Sequence, residues 1–126
     1  MTIESLLTEV RLLAPNTLEN KILISWLSRY EHQLKVEIFD NYTNEVDFNG
    51  YDESTPADTT LLVGSPYDEL YVRYLEAQIY RYLGENDKYN NCMTECNAIY
   101  DRFKAQYTRD HTHKGPHKFT YYGGAV

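Results

Sequence analysis

Cysteine is scarce in this chain, with two residues, Cys92 and Cys96, among 126. A small secreted scaffold stapled by disulfides is thereby excluded. The two thiols stand four residues apart, a spacing that does not favour a bridge within one helix. Long apolar runs are missing as well, and none approaches the roughly 20 residues that a membrane-spanning helix needs. The opening Met1-Thr2-Ile3-Glu4-Ser5 has neither the basic nor the apolar region of a signal peptide. A cytosol-like compartment with reduced thiols is expected, and Asn41-Tyr42-Thr43 is then a chance glycosylation match. There is no cationic excess either. The formal net charge is −7, which argues against generic binding to DNA or to anionic membranes. Glycine-rich phosphate loops, a G-x-S-x-G elbow and an HExxH helix are all absent. Ser5, Ser25, Ser28, Ser54 and Ser65 belong to no nucleophile pattern. No catalytic site is expected, and the chain does not read as an enzyme.

What is abundant is tyrosine, 13 residues against 4 Phe and 1 Trp. A tyrosine ring is apolar and its tip is polar. It suits interfaces, and equally the edges of a core that reaches water. With 42% hydrophobic residues, the chain can build one domain without staples. All 19 acidic residues fall within 1–110, where the net charge is −9. Residues 111–126 carry Lys114, Lys118 and three of the four histidines. An acidic body therefore ends in a weakly basic tail.

Hydrophobic periodicity divides the chain into four helices. Residues 3–14 place Ile3, Leu6, Leu7, Val10 and Leu13 at helical spacing behind a Thr2 cap. Residues 18–40 carry the stripe Leu23, Trp26, Leu27, Tyr30, Leu34 and Ile38, with Glu31 and Lys35 as an i,i+4 pair on the exposed side. Residues 67–84 begin after Ser65 as cap and Pro66 as first helical residue. Their broad face holds Tyr67, Leu70, Tyr71, Tyr74, Leu75, Gln78 and Tyr82, and Gly84 closes the helix. Residues 86–109 carry the most regular seam, Tyr89, Met93, Cys96, Tyr100, Phe103 and Tyr107. Between helices two and three, residues 41–66 read as a long loop. Two short strands, or a hairpin, are expected there around Asn49-Gly50 and at Leu61-Leu62-Val63. The expected fold is mainly α: a small antiparallel bundle of about four helices over 1–110, with an extended tail over 111–126.

Two constellations are candidates for metal. Cys92 and Cys96 share a helical face and, with His111 and His113, could complete a tetrahedral zinc set. The bland reading of Cys96 is a small hydrophobe on the seam. His111, His113 and His117 form a cluster in a tail that is more often simply solvated. The stretch Asp47-Phe48-Asn49-Gly50-Tyr51-Asp52-Glu53 lacks the first and closing carboxylates of a calcium loop and reads as a turn. The bland reading prevails at each place, so no metal or cofactor is expected.

One combination is more specific than its parts. A short first helix and a break lead to a Trp-containing helix. An acidic loop then reaches Leu61-Leu62-Val63-Gly64-Ser65-Pro66-Tyr67-Asp68-Glu69-Leu70-Tyr71. The last helix carries Tyr89-Asn90-Asn91 and Tyr100-Asp101-Arg102-Phe103-Lys104-Ala105-Gln106-Tyr107-Thr108-Arg109, before a His-Lys-Gly-Pro tail. Over nearly its whole length the chain resembles the head–tail connector (adaptor) proteins of tailed phages and prophages of Gram-positive bacteria. The resemblance implies a virion protein made in the host cytoplasm. Its subunits form a ring, typically twelve-fold, beneath the portal protein. The ring extends the DNA channel without gripping DNA and receives a neck or tail-completion protein. Docking on the portal would fall to Lys114, Lys118, Phe119, Tyr121 and Tyr122. Contact between subunits would fall to Tyr51, Leu61, Leu62, Tyr67 and Tyr71. Two other readings use the same residues: a bacterial adaptor or regulatory protein binding one partner through its Tyr-rich face, and a zinc protein built on Cys92, Cys96 and the tail histidines.

Overall fold

Thr2 starts the first helix in the way its side chain allows. Its Oγ1 accepts the Ser5 N–H at 3.1 Å, and Ser5 Oγ accepts the Thr2 N–H at 3.0 Å, a reciprocal capping box. A computed structural model describes residues 1–114, which form α1 (Ile3–Leu13), α2 (Asn20–Glu37), α3 (Glu69–Tyr82) and α4 (Asn86–Asp110). A single 3₁₀ turn, Phe39–Asn41, follows α2. The protein is mainly α, with four helices packed as a bundle. No strand occurs among the described residues. The expected hairpin in the 41–66 loop is replaced by two isolated bridges, Thr2 with Thr60 and Tyr42 with His113.

The directions of the helices follow from a few contacts. The Met1 ammonium lies 3.4 Å from Asp68, and Tyr80 Oη donates to the Leu13 carbonyl at 3.3 Å. So α1 and α3 run the same way. Only residues 83–85 separate α3 from α4, and this pair makes the most extensive helix contact, as an antiparallel hairpin must. Tyr30 and Phe39, before and just after the end of α2, meet Cys96 and Phe103 of α4 in the same order. The result is an up-down-up-down bundle.

α3 is its central rod. Leu70, Tyr71, Val72, Leu75, Ala77 and Ile79 are all fully buried, which wraps apolar contact round most of the helix. Leu23, Leu27 and Leu34 of α2 close on it, each worth about 1.5–3 kcal/mol when removed from water. The expected face of α3 is only partly right. Tyr82 is 65% exposed, because the helix ends there and points it past the core. The seam of α4 is also rotated: its buried residues are Cys92, Cys96, Ile99, Phe103 and Tyr107, while Met93 and Tyr100 sit at the border.

The helix ends show which local signals count. Gly84 has φ +81°, its N–H reaches the Arg81 carbonyl at 3.2 Å, and the Glu85 N–H reaches that of Tyr80 at 2.9 Å. That is a Schellman ending, which needs a residue without Cβ cost in the left-handed region. The start of α3 differs from expectation. Residues 64–68 turn first, with the Tyr67 N–H bonded to the Gly64 carbonyl at 3.0 Å, and the helix begins at Glu69. Ser65 and Pro66 therefore precede the helix by a full turn.

Candidate interaction site

The long loop between α2 and α3 is held by one buried carboxylate. Glu31 lies on the inner face of α2 and is fully buried. Its Oε2 accepts Tyr51 Oη at 2.8 Å and the Leu62 N–H at 3.0 Å, and its Oε1 accepts Tyr71 Oη. Tyr71 Oη in turn accepts the Val63 N–H at 2.9 Å. Two loop segments and α3 thus converge on one side chain of α2. No ion pair to Glu31 is found among the described residues. Burial pushes its carboxyl above the usual range, and the three donors pull it down without cancelling that effect. The Tyr51 and Tyr71 phenols are raised by burial and by the neighbouring carboxylate.

Glu31 was expected on the exposed side, paired with Lys35. That reading is corrected: Lys35 bonds Asp40 at 2.8 Å instead, because Glu31 faces inward. No local signal marks this residue, since its partners lie 20 to 40 positions away. The loop also serves α1. The Ile3 and Glu4 N–H groups donate to the carbonyls of Thr59 and Ala57 at 3.1 and 2.9 Å, which satisfies the open end of that helix.

At the far end of α4 an aromatic cluster anchors the start of the tail. Tyr107 stacks on His111 with ring centres 3.6 Å apart, and Tyr42 packs edge-on to Tyr107 at 5.0 Å. Tyr42 Oη and Thr108 Oγ1 are 2.6 Å apart, and Asn44 donates to Tyr107 Oη at 2.8 Å. Two backbone bonds then tie the chains together. The Thr43 N–H reaches the Thr112 carbonyl at 2.9 Å, and the Lys114 N–H reaches that of Asn41 at 2.9 Å. Residues 111–114 are therefore tied to the folded body.

The residues expected to touch a neighbouring subunit fall into two groups. Tyr71 and Leu61 are buried inside the subunit, so they have no surface to offer and are corrected to core residues. Tyr51, Leu62 and Tyr67 are half-buried. Of the docking residues, Lys114 is exposed at the end of the anchored segment. Lys118, Phe119, Tyr121 and Tyr122 lie outside the described residues, as does His117. Exposed apolar surface occurs where the sequence did not place it. Leu12 is 77% and Leu13 44% exposed, and Leu83 lies bare at the end of α3. Leu13 was expected in the core. It is the last residue of α1, and the core closes there on Ala14 instead.

The zinc set does not assemble. Cys96 is fully buried, 3.2 Å from Tyr30 Oη, and its thiol donates to the Leu70 carbonyl at 3.4 Å. His111 follows Cys96 by fifteen residues, almost all of them helical, which puts about 22 Å between their backbones. Among the described residues no group of three His, Cys, Asp or Glu is placed to hold a metal ion. Burial raises both thiols above their ordinary range. The segment compared with a calcium loop is no compact turn over 47–51. Its one turn closes at Asp52, which accepts the Ser54 N–H at 2.8 Å. No described helix is long and apolar enough to cross a membrane.

Compared with protein-family models, with curated proteins and with solved structures, the chain has no significant match.

Proposed function

We propose that the chain is a non-catalytic structural subunit, a head–tail connector of a tailed phage or prophage that assembles as a ring on the portal protein. The observation that carries this reading is the anchoring of residues 111–114 against Asn41–Thr43. In the sequence this anchored segment leads directly into the basic, aromatic residues 115–126, which the reading assigns to the partner. Other features support it. The body is acidic, which suits a wall past which DNA slides. Tyr51, Leu62 and Tyr67 are half-exposed near a loop tied firmly to the bundle, a stable base for subunit contact.

The test is electron microscopy of the protein mixed with the portal protein of its own genome, run beside a variant ending at Lys114. The full chain is expected to add a ring beneath the portal, and the truncated chain to stay folded but add none. No added density from the well-folded full chain would overturn the connector reading and favour an adaptor that binds one cellular partner. A ring formed equally well without residues 115–126 would overturn the tail assignment alone.

A further inference from the structure

Residues 45–50 form the longest stretch of unsatisfied backbone among the described residues. The stretch runs without a turn or bend, and none of its N–H or C=O groups is hydrogen-bonded among the described residues. Both ends are nevertheless fixed. Before it, Asn44 is bonded to Tyr107 and Thr43 to Thr112. After it, the Tyr51 N–H donates to Ser28 Oγ at 3.0 Å, and Tyr51 Oη holds Glu31. Between these pins Val46 and Phe48 are half-buried while Asp47 and Asn49 are exposed, the alternation of a strand. Val46 packs against the core, and Phe48 rests edge-on to Tyr51 at 4.7 Å. The alternation seen in the sequence is thus real, but the strand it describes has no partner within the described residues.

A groove of about 680 Å³ lies between this segment and α2, lined by Ser28, Arg29, His32, Gln33, Phe48 and Asn49. No carboxylate among the described residues lines it, although Arg29 also borders a neighbouring groove that holds Asp52 and Glu53. Residues 36–72 contain no Lys or Arg, so the cationic character comes from α2. Arg29 is exposed, and no ion pair or hydrogen bond to it is found among the described residues.

We infer that residues 45–50 and this groove receive an extended acidic segment of a partner protein, added as a strand. Backbone groups of the partner would pair with the free edge, and its carboxylates would meet Arg29 and His32. Phe48 supplies the apolar wall against which the alternate side chains pack. The inference rests on the edge and the groove, and it does not depend on the connector reading.

The experiment is amide NMR of the full, isotope-labelled chain titrated with the ten-residue peptide (Thr-Glu)5. Shifts are expected at residues 45–50 and at Arg29 and His32. The Arg29→Ala variant should bind at least tenfold more weakly, and so should the peptide (Thr-Lys)5 with the native chain. A strand uses one of its two edges. Peptides N-methylated on the Thr amides and on the Glu amides should therefore differ, one binding and the other not. Equal binding by both would overturn strand addition. Absence of shifts at these residues at millimolar peptide would overturn the site. Preference for (Thr-Lys)5 would show that Glu45 and Asp47 dominate the edge, and would overturn the acidic assignment.

Discussion

Replacing Glu31 by Gln should change how stability depends on pH more than it changes stability itself. The substitution keeps the shape and one acceptor oxygen, which can still take Tyr51 Oη and the Leu62 N–H. Its NH₂ then faces Tyr71 Oη, which already accepts the Val63 N–H. The Tyr71 hydroxyl hydrogen is left without an acceptor, at a cost of about 1–3 kcal/mol. Against this, the variant no longer carries a charge into the core, and the two effects partly offset. The pH dependence separates them. The folded carboxyl titrates above the unfolded one, because burial outweighs its three hydrogen bonds. The stability it contributes is therefore fully present below the unfolded Glu value of about 4.3, and it is lost as pH rises through the raised folded value. Each unit of difference is worth about 1.4 kcal/mol. Urea unfolding at a series of pH values should show the native chain losing ground to Glu31→Gln as pH rises through that window, with no further change above it. The opposite slope would mean that the three donors win and that the folded carboxyl is depressed. Parallel curves would mean that burial and hydrogen bonding cancel. Either outcome refutes the reasoning.

Three further outcomes are expected. Gly84→Ala meets no neighbouring atom but must hold φ +81°, so thermal unfolding should show a loss of about 1–2 kcal/mol. Thr2→Ala removes the capping box and should cost about 0.5–2 kcal/mol, visible in the same assay. Both thiols are buried and raised above their ordinary range, so an aromatic disulfide reagent at neutral pH should modify Cys92 slowly and Cys96 only on unfolding. Fast reaction at Cys96 in the native protein would contradict its packing beside Tyr30.

Features written in a few consecutive residues were legible, and those settled by distant partners were not. The Thr2 cap, the Gly84 ending and the extent of α4 follow from local chemistry that acts within one helical turn. The four-helix bundle follows from their spacing. The orientation of α4 does not. Its tyrosines fit a seam as well as Ile99 does, and only the position of α3 decides which side faces inward. Tyr71 and Tyr67 read alike in the sequence. One is buried because a carboxylate 40 positions earlier takes its hydroxyl, and the other stays half-exposed over Phe103. The sequence alternates over 46–50, but pairing is a property of two segments, and the expected hairpin does not form because no second segment pairs there among the described residues.

The arrangement at Glu31 also constrains how this sequence can drift. Every buried side-chain nitrogen or oxygen among the described residues has a partner. The phenol of Tyr51 accepts nothing and could be retired by a change to Phe. The N–H of Leu62 and that of Val63 belong to the main chain, and no substitution short of proline removes them. An apolar residue at position 31 would strand the Leu62 donor, and loss of the Tyr71 hydroxyl would strand that of Val63. As long as the loop follows this path, position 31 must supply an acceptor, and the three side chains are free to change only in a restricted order.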